Sequence, residues 1–461
     1  MPPPTRITAA DYHFYAYNND EKTPWTLGSA QPDRGALQFY SMVNDLEGLR
    51  AYGASRRVPN ISLTNAGAGI KVGSNTRYTK VLSFGGRAAN SPAVVITGGI
   101  HAREWIAPAM AYLLAEYLVM NYQRDHPAQP YQGTLRDLVD NRRIIIAPML
   151  NPHGNSYSVY SPEKDARMWR KNRRALPRTK EGWAAALTTD DAPNPPLLNV
   201  NVPAPEAPNL ARYDVPVYRK LGEQNAVTIG PGAQFGVDLN RNCSTPAWGH
   251  HVPEADGRPG RSGEPGQEDY FGPRRSSERE TLNIESRIAD AARRGGIGTA
   301  IDYHSYGKAI GYPTETGYRV AGLAPGYTAL GQILQCLIGP ELYPDPYDYQ
   351  LSRTIEYETV GTIDDHIALM HGARAFVIEL DPADPYDSKD PNSGFALPED
   401  QIQSVFEKNI RGALALIAAA GIASQVTNTR TSSRFERRTI NSGERVYRGW
   451  NVFGRGNRLP T

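Results

Sequence analysis

The sequence predicts an α/β fold in which a central mixed, mostly parallel, twisted sheet is flanked by helices. One observation behind this prediction is that short apolar runs alternate along the chain with segments whose apolar residues recur at helical spacing. Another is that polar residues lie at or near the ends of four of these runs. Because ligands of such sheets bind beyond the carboxyl ends of the strands, we expect the active site there.

The predicted elements follow one another in chain order. Helical spacing predicts helices over residues 37–52, 106–122, 278–294, 328–338 and 400–420, the last of which should end at Gly421. Apolar runs predict strands over residues 61–63, 70–72, 79–84, 94–97, 143–150, 299–303 and 375–380. The Asn-Pro-His-Gly segment at residues 151–154 is typical of a turn.

The composition restricts the class of protein. The chain has 461 residues, of which 40% are hydrophobic and 21% charged, as in globular proteins with ample material for a core. A net charge of +2 argues against a general role in binding nucleic acid or membranes, and two cysteines can form at most one disulfide bond. The first residues contain no apolar signal segment. We therefore expect a cytoplasmic protein if Met1 is the true start, and a secreted one if a leader has been removed.

Two histidines and a glutamate form a candidate metal site. His101 and Glu104 follow the strand at residues 94–97, three positions apart, so that both side chains of the turn can face one cation. His304 follows the strand at residues 299–303, where a histidine is also consistent with a packed core residue. Two imidazoles and one carboxylate with an open fourth position are typical of a hydrolytic zinc site. The three residues together therefore predict one Zn²⁺ per chain.

Other polar residues have two interpretations each. Glu379 lies inside an apolar strand, where it is either part of a structural ion pair or a general base for an attacking water. Asn240 and Arg241 form either a simple turn or a clamp for a carboxylate, which an amide and a guanidinium bind well. The basic segment at residues 167–174, which includes Arg170, is either a surface patch or part of the site.

Nine segments, which occur in the order of one known family, together resemble the zinc carboxypeptidases of the A/B type. They are GGIHAREWIAPA, NPHGNSYSVYS, RMWRKNRR, FGVDLNRN, YFGPRRSSERE, IDYHSYG, EYETVGTIDDH, AFVIEL and GFALPEDQI. The resemblance implies a carboxypeptidase A-like fold and a zinc-dependent exopeptidase that removes single residues from the C-termini of peptides and proteins. It implies a catalytic domain at residues 36–424 with a Pro-rich insertion at about 175–235. An N-terminal arm at 1–35 and an Arg-rich extension at 425–461 flank this domain.

The resemblance also implies a role for each matching residue. Zinc would be held by the three predicted ligands, and the carboxylate of Asp238 would orient His101. Glu379 would take a proton from the attacking water and deliver it to the leaving amine, while Arg170 would stabilise the oxyanion. Further residues would bind the substrate's C-terminal carboxylate and the adjoining peptide: Asn240, Arg241, Tyr357 and Arg103.

The specificity pocket is less defined by the sequence. Asp364 and Asp365 align with an acidic pair found in family members that prefer basic C-terminal residues, although a broad or apolar preference stays open. Two positions depart from the usual family pattern. His153 replaces the aspartate of the Asn-Pro-Asp-Gly turn, and His366 replaces the tryptophan of the Asp-Asp-Trp segment.

Two other functions stay open on the sequence alone. A deacylase or amidase of small N-acyl amino acids on the same scaffold would keep the metal ligands without needing the carboxylate clamp. A non-catalytic peptide-binding relative would normally have lost a ligand or the base, and both are present in this sequence. We expect no nucleic-acid or membrane partner, and the sequence does not define the oligomeric state. The Arg-rich extension is either a surface-docked tail or a segment that contacts another molecule.

Overall fold

A computed structural model describes residues 39–123, 133–161, 163, 166–175, 236–245, 248, 267–313, 324–338, 349–352, 359–384, 394–395, 397 and 401–426. The predicted N-terminal arm, Tyr357, nearly all of the Pro-rich insertion and all but the first two residues of the Arg-rich extension lie outside these residues.

An eight-stranded sheet forms the centre of the structure, with the strand order β1-β4-β6-β5-β7-β10-β8-β9. Its strands are β1 (Ser62–Asn65), β4 (Lys80–Gly85), β5 (Ala93–Gly98), β6 (Arg143–Ala147), β7 (Ile297–Ser305), β8 (Ala309–Gly311), β9 (Gln350–Ser352) and β10 (Arg374–Leu380). The four central strands β6, β5, β7 and β10 are parallel to one another, while antiparallel pairs lie towards both edges. A separate hairpin consists of β2 (Ile70–Val72) and β3 (Asn75–Arg77).

Helices cover both faces of the sheet. They are α1 (Phe39–Ser55), α2 (Ile106–Met120), α3 (Leu135–Asn141), α4 (Pro152–Tyr160), α5 (Arg279–Arg293), α6 (Ala324–Leu337), α7 (Ile363–His371) and α8 (Ile402–Val426). Thr299 of β7 donates a hydrogen bond to Leu416 O of α8. Because side chains alternate along a strand, Asp302 and His304 point to the opposite face of β7. The candidate ligand His304 therefore faces away from α8.

Burial explains why the central strands read as continuous apolar runs. All six residues of β5 and all nine residues of β7 are buried. Parallel strands that helices cover on both faces have this property. The strand order and directions confirm the predicted mixed, mostly parallel sheet. β7 extends to Ser305, so His304 lies within the strand rather than after it.

Two predictions about element ends were wrong. Residues 151–154 are not an isolated turn, because Asn151 caps α4 by accepting a hydrogen bond from Gly154 N, and Pro152 occupies the first helical position. α8 does not end at Gly421 but continues to Val426. Gly421 instead allows Arg142 to approach the helix closely, since a Cβ atom at Gly421 would lie 3.0 Å from an Nη atom of Arg142.

Among the described residues, no helix combines the length and the apolar character that a membrane crossing requires. The two cysteines, Cys243 and Cys336, are both free thiols.

Candidate active site

A glycine turn at the end of β5 positions the first two candidate ligands. Gly99 has a φ of +63°, a conformation that favours glycine, and a Cβ atom at Gly98 would lie 2.7 Å from Ala107 O. The chain can therefore turn sharply between β5 and α2. Asn151 holds this turn from the end of β6, because its side-chain amide donates to Ile100 O at 3.2 Å. Asn151 thus supports the site without pointing a group into it.

Three side chains converge where the sequence predicts the metal. His101 Nδ1 lies 2.7 Å from Glu104 Oε1, and His304 Nδ1 lies 3.0 Å from Glu104 Oε2. One potential ligand atom from each residue lies within 4.8 Å of the other two, and all three residues are buried. Residues 200 positions apart in the sequence therefore present two imidazole nitrogens to one carboxylate.

The second nitrogen of each imidazole faces a buried aspartate. His304 Nε2 lies 2.7 Å from Asp302 Oδ2, and Asp302 Oδ1 accepts a 2.7 Å hydrogen bond from Thr97 Oγ1. His101 Nε2 lies 3.3 Å from Asp238 Oδ1. A carboxylate behind each histidine orients the ring, so that its other nitrogen points to Glu104.

Asp238 is predicted by the resemblance to the family, whereas Asp302 is a residue that the sequence predictions missed. A signal was available, because Asp302 precedes His304 by two positions, and such residues share one face of a strand.

The charges of this cluster are consistent with a cation site. Burial would raise the pKa of Glu104, but the charges of His101 and His304 hold this pKa well below its usual value. Burial would lower the pKa of His304, but Asp302 and Glu104 hold it well above its usual value. The cluster therefore already contains an anionic carboxylate and attracts positive charge at its centre. Imidazole nitrogen and carboxylate oxygen are donors that zinc prefers, so these residues fit Zn²⁺.

Asp238 connects His101 to Arg170. Its Oδ2 accepts a hydrogen bond from Arg170 Nε at 3.0 Å, while its Oδ1 faces the imidazole. Burial would raise the pKa of Asp238, but the positive charges of Arg170, His101 and Arg241 hold it well below the usual value. The backbone of Arg170 is also tied to the ligand turn, since Ala102 N donates to Arg170 O at 3.0 Å. Asp238 thus positions the guanidinium of Arg170, which is predicted to bind the oxyanion, and also faces the imidazole of His101.

Asn240 and Arg241 form a short 3-10 turn next to the metal ligands. Asn240 Nδ2 lies 3.4 Å from His304 Nε2, and Asn240 Oδ1 accepts a hydrogen bond from the backbone N–H of Ile363 at 3.1 Å. The guanidinium of Arg241 is buried and donates to Asn240 O at 2.7 Å. The structure therefore brings both predicted clamp residues to the ligand cluster, with Asn240 joining it to the start of α7.

Glu379 lies beside the third ligand. β10 runs parallel to β7, with Glu379 in register with His304, so both side chains point to the same face of the sheet. Glu379 is half-buried at this position.

Arg103 lies at the rim of the site. Its Nη1 donates to Glu268 Oε2 at 3.1 Å, and its guanidinium lies 4.4 Å from the centroid of the Phe395 ring. Glu268, an exposed acid, is therefore paired with Arg103, which is predicted to bind the substrate peptide further from its C-terminus.

Asp364 is buried in the first turn of α7. Its Oδ1 has no hydrogen-bond partner among the residues that the structure describes. Burial raises the pKa of this carboxyl group, as does the nearby Asp302, while a hydrogen bond from Thr362 and the charge of His304 lower it. Asp364 is thus a buried acid whose Oδ1 receives no hydrogen bond from the described residues.

Comparisons with known proteins agree with this geometry. The zinc carboxypeptidase family, Peptidase_M14, matches residues 68–412. Carboxypeptidase B of Astacus astacus is 26% identical over 339 residues, which are 73% of this chain and 83% of the crayfish protein. Carboxypeptidase B of Rattus norvegicus is 24% identical over 336 residues, which are 72% of this chain and 60% of the rat protein.

Solved structures show the same fold. Carboxypeptidase A from Helicoverpa armigera superimposes with a TM-score of 0.58 at 20% identity, covering 85% of this chain and 75% of that one. Thrombin-activatable fibrinolysis inhibitor superimposes with a TM-score of 0.55 at 19% identity and the same coverage of both chains. Since the family match covers most of the sequence, which includes every described residue of the candidate site, the chain belongs to the zinc carboxypeptidase family.

Proposed function

We propose that the protein is a zinc-dependent exopeptidase that removes single residues from the C-termini of peptides and proteins. The observation that carries this proposal is the convergence of His101, Glu104 and His304, with a buried aspartate behind each imidazole. These three residues would hold Zn²⁺. When bound, the ion would polarise the scissile carbonyl and make water a stronger nucleophile at neutral pH.

Glu379 acts as the general base in this proposal. Its carboxylate takes a proton from the attacking water and delivers that proton to the nitrogen of the leaving amino acid. Two observations support the role. The register of β10 against β7 directs Glu379 to the same face as His304, and partial burial keeps its surroundings less polar than bulk water. One carboxylate therefore serves both proton transfers.

Arg170 stabilises the oxyanion that forms when the scissile carbonyl is attacked. The 3.0 Å bond from its Nε to Asp238 supports this role, because it holds the plane of the guanidinium without any rearrangement during the reaction. Donors that are fixed in advance stabilise developing charge more than mobile ones do. The guanidinium is also largely shielded from solvent, with 13% of its side chain exposed, which strengthens the electrostatic effect.

The C-terminal carboxylate of the substrate is bound by Asn240, Arg241 and Tyr357, with Arg103 further along the peptide. The buried guanidinium of Arg241 beside Asn240 supports this assignment, because a guanidinium binds a carboxylate through charge-assisted hydrogen bonds. An internal peptide residue has no carboxylate to offer and would not form these bonds. Cleavage is therefore restricted to the end of a chain.

We further propose that the enzyme prefers a basic C-terminal residue. The support is the buried carboxylate of Asp364, whose Oδ1 has no partner among the described residues. A lysine or arginine side chain would supply the positive charge that this oxygen lacks.

A single set of substrates tests the proposed function. The purified protein should release the last residue of a peptide with a free C-terminus and should not act on the same peptide as its C-terminal amide. A chelator should abolish activity, and added Zn²⁺ should restore it. Equal cleavage of the amide, or cleavage only of N-acyl amino acids, would instead support the deacylase. Binding without turnover in the zinc-loaded protein would support a non-catalytic role.

A further inference from the structure

A surface pocket of about 360 Å³ lies between the β2–β3 hairpin and α4. Its lining includes Arg77 from the hairpin, His153, Ser156 and Tyr157 from α4, and Arg173 from the basic segment. None of the residues assigned to the active site lines this pocket. Its volume is within the range of small-ligand sites. The pocket is therefore a candidate second binding site.

Two arginines make the pocket positively charged. Arg77 is held in place by a 3.1 Å hydrogen bond from its Nη1 to Pro152 O. The guanidinium of Arg173 stacks over the Tyr157 ring at 3.6 Å and lies 4.6 Å from the centroid of the Trp169 ring. Both cationic groups are thus fixed before any ligand arrives. Guanidinium groups held in this way bind carboxylate and phosphate oxygens through paired hydrogen bonds.

His153 lies at a position where the zinc carboxypeptidases usually have an aspartate, and it adds no negative charge to the pocket. Its Nε2 donates a 2.9 Å hydrogen bond to Ile70 O, and burial lowers its pKa, so the imidazole is neutral at neutral pH. Glu163 accepts a hydrogen bond from Tyr157 OH and acts electrostatically on Arg173, but it does not line the pocket. The charged side chains that line the pocket are therefore the two arginines.

A buried hydroxyl and two aromatic rings complete the lining. Ser156 is 6% exposed, and its Oγ has no hydrogen-bond partner among the described residues. A buried hydroxyl without a partner is unfavourable unless a ligand or water satisfies it. Tyr160, which is 42% exposed, offers an apolar wall next to Tyr157. A ligand with an anionic group and a planar body would use all of these features.

We infer that this pocket binds a small oxyanion, a phosphate or carboxylate carried on an aromatic or planar molecule. The anionic group contacts Arg77, Arg173 and the Ser156 hydroxyl, and the planar body packs against Tyr160. This site is separate from the active site and does not depend on the proposed peptidase activity.

Hydrogen–deuterium exchange of the zinc-loaded full chain tests the inference, because it localises binding even if the active site also takes anions. The probes are phenyl phosphate, benzoate and inorganic phosphate. Phenyl phosphate or benzoate should slow exchange in residues 70–77 and 152–161, and the stronger of the two identifies the anion. Inorganic phosphate should bind more weakly because it has no planar body. Absence of protection at these residues up to about 10 mM, where specific binding becomes negligible, would overturn the inference.

Two variants and a matched control separate the pocket from general charge effects. Arg77→Gln should weaken the binding of the aromatic anion roughly tenfold or more, since a charge-assisted hydrogen bond is lost. Tyr160→Ala, at an exposed position, should lower the affinity for phenyl phosphate towards that for inorganic phosphate. Arg56→Gln removes an arginine that lies 5.2 Å from a tyrosine ring elsewhere and should change nothing. Unchanged affinity in both pocket variants would contradict the inference.

Discussion

The two halves of the candidate site are built on different kinds of structure. The metal half consists of His101, Glu104, His304 and Glu379, which lie at or near the carboxyl ends of the adjacent parallel strands β5, β7 and β10. The substrate half consists of Asn240, Arg241 and Asp364, which lie on a 3-10 turn and on the first turn of α7. Backbone hydrogen bonds of the sheet fix His304 and Glu379, while His101 and Glu104 lie on the turn that follows β5. Side-chain bonds to backbone groups hold the second half together, such as that from Ile363 N to Asn240 Oδ1.

This difference separates the expected effects of mutation. Changes in the metal half should alter metal affinity and kcat, because in the proposed mechanism its groups act on the reacting atoms. Changes in the substrate half should alter KM, substrate preference and local stability, because in the same proposal its groups bind parts of the substrate that do not react. A variant in one half that altered the properties expected of the other half would show that the halves are coupled. Asp238 is the residue placed to couple them.

The largest effect is expected at Glu379. Glu379→Gln keeps the shape of the side chain but cannot accept the proton, so kcat should fall by roughly 10²–10⁴-fold. Zinc content measured on the same sample should stay at one ion per chain, because Glu379 is not among the predicted ligands. Glu268→Gln is the control, since this exposed acid lies at the rim of the site and should leave kcat within a few-fold. A Glu379→Gln variant with full turnover would remove the assigned role.

The two aspartates behind the histidines should differ from each other. Asp302→Asn and Asp238→Asn should each weaken zinc binding by about 10–100-fold, the usual effect of losing a carboxylate behind a ligand. Asp302 lies 2.7 Å from its histidine and Asp238 lies 3.3 Å from its own, so the Asp302 variant should lose more affinity. Asp238→Asn should in addition lower kcat at saturating zinc, because Arg170 loses its ion pair. Competition with a zinc chelator measures the affinities, and equal behaviour of both variants would show that the ion pair of Asp238 with Arg170 does not contribute to kcat.

The metal half could be predicted from the sequence because its spacing follows from regular structure. The apolar runs before His101, before His304 and around Glu379 predict buried parallel strands, and the ends of such strands meet at one edge of the sheet. Asp302 could have been found by the same reasoning, from the two-residue period of β7. The general α/β architecture was predictable for the same reason.

For the substrate half the residues alone left two interpretations of Asn240 and Arg241 open, a turn or a carboxylate clamp, and only the resemblance to a family favoured the clamp. Asn240 Oδ1 accepts from the backbone of Ile363, more than a hundred positions later, and no local periodicity indicates such a bond. The extension of α8 past Gly421 was missed because a glycine after a helical run predicts a helix end. At this position the glycine instead allows Arg142 to approach closely, which only the tertiary structure reveals.

In the helix that carries Asp364, His366 makes the packing of α7 sensitive to pH. Its Nδ1 donates to Ser244 O at 2.7 Å, which fixes α7 to the segment that follows Arg241. Burial lowers the pKa of His366 from 6.5 to about 4, so the unfolded chain takes up a proton first as the pH falls. The contribution of a neutral His366 to stability is therefore complete above about pH 6.5 and is lost as the pH falls towards 4.

Between pH 7.5 and pH 5 this loss should amount to about 2 kcal/mol. The glutamine in His366→Gln does not titrate. The free energy of unfolding of this variant should therefore fall by about 2 kcal/mol less between these pH values than that of the wild type. Urea unfolding at both pH values measures the difference. The neighbouring Glu285 and His371 are present in both proteins, so the comparison measures the imidazole together with its effect on these two groups. An identical loss in both proteins would show that His366 is not buried in its neutral form.

The smallest effect is expected at Asp364, where only substrate preference should change. Asp364→Asn should lower kcat/KM for a peptide ending in arginine by about tenfold to a hundredfold and leave a peptide ending in leucine nearly unchanged. Asp365→Asn, in the same turn of α7, is the matched control and should keep the wild-type ratio. Because burial raises the pKa of Asp364, the wild-type preference for arginine should also increase with rising pH, as the carboxyl group becomes charged. If both variants keep the wild-type ratio of kcat/KM for the two peptides at every pH, Asp364 does not determine the substrate preference. This preference must then come from other residues.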